Sequence, residues 1–193
     1  MKKPSITRRD LLRLAAGITV TTGFGLGSAA RARADAEARV VLVRHAEVIG
    51  EQGKVNGEVL QSMLDEAVKT LLGSSEPLQA WQKLVKPSDV VGIKSNAWER
   101  LPTPKELEAA IRQRILDVGV AERNLDIGDR GILRNPIFLG ATALVNVRPL
   151  RTHHWAGVGT CLKNYIQFVP DRPSYHPDGF AALGRIWTLP IVR

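Results

Sequence analysis

Apolar residues recur at helical spacing in two stretches of the chain. The first stretch follows Asn56 and stops at Gly73, and the second follows Thr103 and stops at Gly119. Asn and Thr side chains cap helix N-termini, and the second stretch also carries Glu106 at the position that completes a capping box. Glycine ends a helix by adopting the left-handed conformation. The pattern therefore predicts two amphipathic helices that begin at Asn56 and Thr103.

Short runs of apolar and β-branched residues alternate with these helices. They predict four strands, at residues 39–44, 89–94, 124–127 and 143–147. The order β-α-β-α-β-β is typical of an α/β fold, with a mostly parallel sheet flanked by helices. The apolar end of the chain, residues 186–193, predicts either a terminal edge strand or a truncated C-terminus.

The first 34 residues carry the pattern of an export signal. Arg8 and Arg9 precede a leucine pair, an apolar stretch follows, and the small residues up to Ala34 fit the Ala-x-Ala cleavage rule. The apolar stretch is shorter than the roughly 20 residues of a spanning helix, which argues against a permanent membrane span. We therefore expect a cleaved twin-arginine signal, with the twin-arginine translocase as partner during export. Residues 35–193 would form a single periplasmic or extracellular domain.

The charge of the chain is concentrated in that signal. The whole chain has a formal net charge of +8 at pH 7. Residues 1–34 hold seven basic residues against one acidic residue, so residues 35–193 keep only a small positive excess. They also lack a basic stripe with interleaved aromatic residues. The high pI therefore gives no reason to expect a nucleic-acid partner.

Polar residues that follow the predicted strands are the candidates for a site. Ligands of parallel sheets bind beyond the carboxyl ends of the strands. The candidates are Arg44–His45, Lys94–Asn96, Asp129–Arg130 and the run 151–164. A small-molecule ligand is the partner that such an arrangement favours.

The run 151–164 concentrates the most chemistry. Histidine moves protons near neutral pH, and a partly desolvated lysine can serve as a base or a covalent anchor. We therefore expect His153 and Lys163 to be catalytic and to share a pocket with residues from the end of the 89–94 strand. His154 should face away, since neighbours in an extended segment alternate. The expected ligand- or cofactor-binding residues are Lys94, Asn96, Gly157, Gly159 and Asn164. The sequence leaves the identity of any metal open.

Several of these segments together resemble the domain-of-unknown-function 362 family. The most specific pieces are Lys-Ser-Asn at 94–96, Thr-His at 152–153 and Leu-Lys-Asn at 162–164, within a match from about Arg39 to Tyr165. The resemblance implies an exported protein that binds a ligand or cofactor in a redox-associated role. It also implies an iron–sulfur or redox protein as partner. One cysteine is too few for an iron–sulfur cluster within this chain.

A shorter motif is similar to nickel-dependent lactate racemases. His153, Trp155, Ala156, Gly157 and Lys163 follow the His-x-aromatic-Ala-Gly…Lys order of that family. This similarity implies that Lys163 carries a nickel-pincer cofactor and that His153 serves as acid and base.

Three classes of function stay open. The first is an exported, family-362-like ligand- or cofactor-binding protein, and the second is an acid/base or racemase-like enzyme that uses His153 and Lys163. The third is a non-catalytic binding module or truncated remnant. Arg44 and His45 also imitate the start of a histidine phosphatase, but the phosphate loop that should follow is missing. That absence argues against phosphatase chemistry.

The export signal can be tested by changing its two arginines. Replacing Arg8 and Arg9 together by lysine should leave precursor in the cytoplasm, because the twin-arginine receptor reads that pair. Cell fractionation followed by immunoblotting measures the distribution. Lys2→Arg with Lys3→Arg is the control and should export normally. Export of the twin-lysine variant at the normal level would contradict the assignment.

Overall fold

The structure is a computed structural model that describes residues 38–189 and 192. The predicted export signal, residues 1–34, lies outside the described residues. The description below concerns the unit that begins at Arg39. None of the helices in this described part combines the length and the apolar character that crossing a bilayer requires.

Helices and strands alternate through most of the described chain. The α-helices are α1 (Gly57–Leu72), α2 (Pro77–Gln82), α3 (Lys105–Val118), α4 (Pro136–Leu139), α5 (Cys161–Asn164) and α6 (Pro177–Phe180). The strands are β1 (Val91–Lys94), β2 (Leu125–Gly128), β3 (Ala143–Asn146), β4 (Arg151–His153) and β5 (Gly157–Gly159). Short 3₁₀ helices span Ala46–Val48, Glu51–Gly53, Glu122–Asn124, Ile132–Arg134, Tyr165–Phe168, Pro173–Tyr175 and Ala181–Thr188.

Three strands form a parallel sheet in the order β2-β1-β3. Lys94, at the end of β1, lies opposite Gly128 of β2 and Asn146 of β3. The three carboxyl ends therefore meet at one edge of the sheet. Strands β4 and β5 form a separate antiparallel hairpin. The prediction of a mixed helix-and-sheet fold with a parallel sheet is confirmed.

Helices α1, α2 and α3 pack on one face of the sheet. Val91 and Ile93 of β1 are fully buried against them. Asn56 caps α1, as predicted, by accepting a hydrogen bond from the backbone N–H of Val59 at 3.2 Å. The helical side of this core also includes Val68, Trp81, Ile111 and Ile115.

The opposite face of the sheet is partly bare backbone, which lets an aromatic ring lie directly on it. Phe138 of α4 is fully buried over Gly92 and Gly128. A Cβ atom at Gly92 would come within 2.8 Å of the Phe138 ring, and one at Gly128 within 3.0 Å. Ile132 and Phe168 complete this second core. Close packing therefore requires glycine at position 92 and favours it at position 128.

The predicted strand at residues 39–44 is wrong. These residues form no ladder with the described strands, and Val40 and Leu42 are 87% and 73% exposed. Strand propensity reflects packing against neighbours more than an intrinsic backbone preference, and this run has no such neighbour in the described chain. The apolar composition alone was misleading here.

Two other local predictions also need correction. Helix α3 begins at Lys105 without a side-chain cap, because the Thr103 hydroxyl accepts a hydrogen bond from the backbone N–H of Asn96 instead, at 3.1 Å. The terminal edge strand is also wrong for the described part of 186–193, where the 3₁₀ helix Ala181–Thr188 continues to Thr188. Leu183 and Ile186, three residues apart, bury the same side of that helix.

The close contact at Gly92 gives a stability prediction. Gly92→Ala should lower the free energy of unfolding by about 1–3 kcal/mol, because the methyl group would overlap the Phe138 ring. Urea denaturation measures the change. Gly184→Ala is the control, since an added Cβ there meets nothing within 4 Å, and it should be neutral or slightly stabilising. Equal midpoints for the two variants would rule out the flat contact between Phe138 and the sheet.

Candidate functional site

A buried lysine lies at the meeting point of the three strand ends. Lys94 is fully buried, and its Nζ donates hydrogen bonds to the Ser95 carbonyl and to Asp129 Oδ1, each at 2.5 Å. It also donates to Asn164 Oδ1 at 3.2 Å. Burial lowers the pKa of Lys94, and the Asp129 carboxylate opposes that shift. The three acceptors replace the water that the ammonium group has lost.

Asn164, in helix α5, ties this helix to the sheet edge. Its side chain is almost fully buried. The Nδ2 group lies within hydrogen-bond distance of the carbonyls of Lys94, Ser95 and Val147 and of Asn146 Oδ1, at 2.8 to 3.3 Å. The Oδ1 atom accepts from Lys94 and from Asn96 Nδ2. One amide therefore connects α5 to the ends of β1 and β3.

A cavity of about 450 Å³ opens above this network. Of the residues predicted for the site, His153, Lys163, Asn96 and Asn164 line it, and Lys94 lies buried beneath it. The full set of described lining residues is Asn96, Trp98, Arg100, Asp129, Arg130, Arg148, Arg151, Thr152, His153, His154, Lys163, Asn164, Ile166 and Gln167. The structure thus brings together most of the candidates from separate parts of the chain.

The charges around this cavity are strongly unbalanced. Four arginines and Lys163 line it, whereas Asp129 is the one carboxylate among the described lining residues. Asp129 already accepts hydrogen bonds from Lys94 and from the backbone N–H of Ala97. The lining arginines and Lys163 form no ion pair with another described residue. The described lining therefore carries a net positive charge that its one carboxylate does not balance.

Lys163 is the cation whose charge is easiest to remove. Burial, together with the nearby Arg148 and Arg151, lowers the pKa of Lys163 to about 8. Its Nζ lies 4.9 Å from the centroid of the Phe180 ring, a cation–π contact that favours the ammonium form. A substantial fraction of neutral amine is therefore present at mildly alkaline pH.

His153 is held neutral and in one tautomer. Its Nδ1 accepts hydrogen bonds from the backbone N–H groups of Trp155 and Ala156, at 3.3 and 3.4 Å. Burial and the Lys163 ammonium lower the pKa of His153 to about 4. With Nδ1 acting as an acceptor, the proton of the neutral ring is on Nε2. His153 is therefore a hydrogen-bond donor at neutral pH rather than a free base.

The expectation that His154 faces away from the site is wrong. His154 lines the same cavity, and its ring is stacked on that of His153, with centroids 5.3 Å apart and planes 8° apart. Strand β4 ends at His153, and His154 lies in the turn of the hairpin. The alternation of an extended strand does not continue through a turn.

Gly157 and Gly159, which were expected to bind a ligand or cofactor, lie outside the lining of the cavity. Gly157 has φ of 69° and supplies the left-handed conformation that the turn of the hairpin needs. Gly159 makes room for an arginine, because a Cβ there would lie 2.9 Å from Nη2 of Arg148. Both glycines shape the hairpin rather than touch a ligand in the cavity.

Sequence reasoning missed Arg148, Trp98 and Gln167. Arg148 follows β3 by two residues, so the rule that found Lys94 would also have found it. Nε of Arg148 and Oε1 of Gln167 are buried without a hydrogen-bond partner among the described residues. The ring of Trp98, which follows β1, stacks on the Arg151 guanidinium, with its centroid 4.1 Å from Cζ of Arg151. Arg151 also donates to Asn96 Oδ1 and to the Leu101 carbonyl.

The histidine-phosphatase imitation gains no structural support. Arg44 and His45 are exposed and do not line the cavity. His45 Nδ1 accepts a hydrogen bond from the backbone N–H of Glu47 at 3.2 Å and so caps a 3₁₀ turn.

The donor set does not fit nickel ligation. Lys163 suits a covalent anchor, but the Nδ1 lone pair of His153 already accepts hydrogen bonds from the backbone N–H groups of Trp155 and Ala156. No group of three His, Cys, Asp or Glu side chains in the described part of the chain could hold a metal ion.

Comparison with protein-family models, with curated proteins and with solved structures found no match to this chain. The resemblances to family 362 and to the lactate racemases stay predictions from the motifs.

The buried pair beneath the cavity gives a second stability prediction. Lys94→Met should lower the free energy of unfolding by about 3–5 kcal/mol, because the Asp129 carboxylate is left without its partner. Adding Asp129→Asn should recover much of the loss. The free energies come from urea denaturation of the single and double variants.

Lys105→Met provides the matched control. Lys105 also forms an ion pair, with the buried Glu108 at 2.7 Å, but its own side chain is 86% exposed and Glu108 keeps a hydrogen bond from the Ser95 hydroxyl. Its loss should therefore cost less than about 1 kcal/mol. If the Lys94 and Lys105 variants were equally stable, the buried pair would not hold the sheet edge together.

Proposed function

We propose that the protein binds a small anionic ligand in the cavity at the carboxyl edge of its parallel sheet. The observation that carries this proposal is the unbalanced charge around the cavity. Lys163 and four arginines face a space whose one described carboxylate is already paired with Lys94. An anion would supply the missing negative charge.

The preferred ligand chemistry is a carboxylate or a phosphate. Arginine presents a planar fork of N–H donors that matches either group, and Arg130 lines the cavity with no ion-pair partner in the described chain. The Nε2–H of His153 adds a neutral donor. Nη1 of Arg148 already donates to the Thr160 carbonyl at 3.4 Å, and its Nε is buried away from solvent, so Arg148 contributes mainly its charge. The small volume suits a metabolite-sized molecule.

We also propose that this binding takes place outside the cytoplasm. The twin-arginine pattern and the cleavage motif of residues 1–34 support export of a folded, single-domain protein to the periplasm or beyond. The resemblance to family 362 supports the same assignment. That resemblance also suggests a redox-associated role with an iron–sulfur or redox protein as partner.

Acid/base catalysis is the second candidate. It is favoured by the pKa of Lys163, which is about 8 and suits a base near neutral pH. The sequence led us to expect His153 as the acid and base, but its Nδ1 accepts hydrogen bonds and its Nε2 carries the proton. Lys163 would take the proton, and His153 Nε2–H would stabilise negative charge on a ligand oxygen.

The charge of Lys163 gives a pH-dependent prediction for ligand binding. Sulfate, whose charge is constant from pH 6 to 10, should bind with steady affinity up to about pH 7 and more weakly as the pH rises through 8. The reason is that Lys163, with a pKa of about 8, then loses its proton. Lys163→Arg should remove this decline, because arginine keeps its charge. Isothermal titration calorimetry measures both profiles.

A pair of arginine variants controls for the overall charge of the protein. Arg130→Gln should weaken sulfate binding about tenfold at pH 7, since hydrogen bonds to charged groups contribute about 1.5–3 kcal/mol. Arg123→Gln removes the same charge from an exposed position before β2, at the other end of the sheet, and should change little. Sulfate affinity that is absent, or that responds equally to both variants, would contradict the proposed site.

A further inference from the structure

A second cavity, which the anionic ligand does not explain, is mainly apolar. This cleft, of about 890 Å³, is lined by Trp155, Pro170, Arg172, Pro173, His176, Pro177 and Asp178. Trp155 is 57% exposed, although it is the largest apolar side chain there. The one arginine and one aspartate offset each other in charge. An indole ring and three prolines therefore offer a surface for an uncharged apolar group.

The cleft and the cationic cavity share a wall of aromatic rings. His154 lines the cavity, and the centroid of its ring lies 4.1 Å from that of Trp155, which lines the cleft. The Trp155 ring in turn meets His176 edge to face at 5.2 Å. A continuous row of rings therefore leads from the charged site into the apolar one.

A buried phenylalanine supports this row from below. The Phe180 centroid lies 5.4 Å from that of His153 and 4.6 Å from that of His176. The same ring contacts the Lys163 ammonium at 4.9 Å. Phe180 has φ of 69°, a left-handed backbone conformation that non-glycine residues rarely adopt. A strained residue thus connects a charged group of one cavity with an aromatic wall of the other.

We infer that the ligand is an anion with an apolar arm, alkyl or aromatic, that crosses Trp155 into the cleft. This inference rests on the proposed function, since the anionic head occupies the cationic cavity. The shared wall argues for one ligand that spans both spaces. The balanced charge of Arg172 and Asp178 argues that the arm is uncharged. The ligand class is therefore an amphiphilic carboxylate or phosphate.

A series of alkyl phosphates, from methyl to octyl, tests the inference on the full-length protein. Calorimetry at pH 7 should show affinity that rises about threefold with each added methylene group, until the arm fills the cleft. Trp155→Ala should bring the ratio of octyl to methyl affinity close to one. Trp187→Ala is the matched control, because Trp187 is similarly exposed but lines neither cavity, and it should keep the wild-type ratio.

The outcomes separate this inference from the function on which it rests. Methyl phosphate binding without dependence on arm length would overturn the arm and keep the anion site. Octyl phosphate binding that ignores Arg130→Gln would overturn the anion site. Loss of a concentration-dependent dimer in Trp155→Ala, without an effect of arm length, would make the cleft a contact between copies and reject the inference. The wild-type series decides the matter even if Trp155→Ala fails to fold.

Discussion

The hydrogen bonds of the Lys94 ammonium connect the segments that meet at the carboxyl edge of the parallel sheet. Removing a charged amine from water costs several kcal/mol, and only acceptors at close range can offset that cost. Those acceptors come from three places: the chain just after β1, Asp129 just after β2, and Asn164 in α5. The positions of the loops above the sheet therefore depend on this one group. A site assembled from distant segments needs such a connection.

The same interaction determines the electrostatics of the cavity. Asp129 offsets part of the positive charge of Lys163, Arg148 and Arg151, but Lys94 and the Ala97 amide already use both of its oxygens. Burial is the main cause of the lowered pKa of Lys163; Arg148 and Arg151 lower it further, and Asp129 acts in the opposite direction. The ion pair between Lys94 and Asp129 thus both stabilises the sheet edge and leaves the charge of the cavity unbalanced.

The sequence predicted the central part of the fold well, because local signals there agree with the tertiary structure. Asn56 caps its helix, and Lys94, Asn96 and Asn164 do meet at one sheet edge. It failed where a partner distant in sequence decides the outcome. Thr103 is a residue type that caps helices, but its hydroxyl accepts a hydrogen bond from the backbone N–H of Asn96 instead. Residues 39–44 have the composition of a strand, but no described strand pairs with them. His154 lines the cavity because β4 ends one residue earlier, at His153.

Gly92 and Gly128 have a consequence that reaches beyond their own packing. Because neither carries a side chain, Phe138 lies against the sheet at van der Waals distance. Phe168 and Ile132 pack with Phe138 at that same height. Phe168 directly follows Gln167, and Ile132 closely follows Arg130; Gln167 and Arg130 line the cavity. The distance of this part of the cavity wall from the sheet therefore depends on the absence of a Cβ atom at Gly92 and Gly128. The position of part of the cavity wall is in this sense encoded at two residues that do not line the cavity.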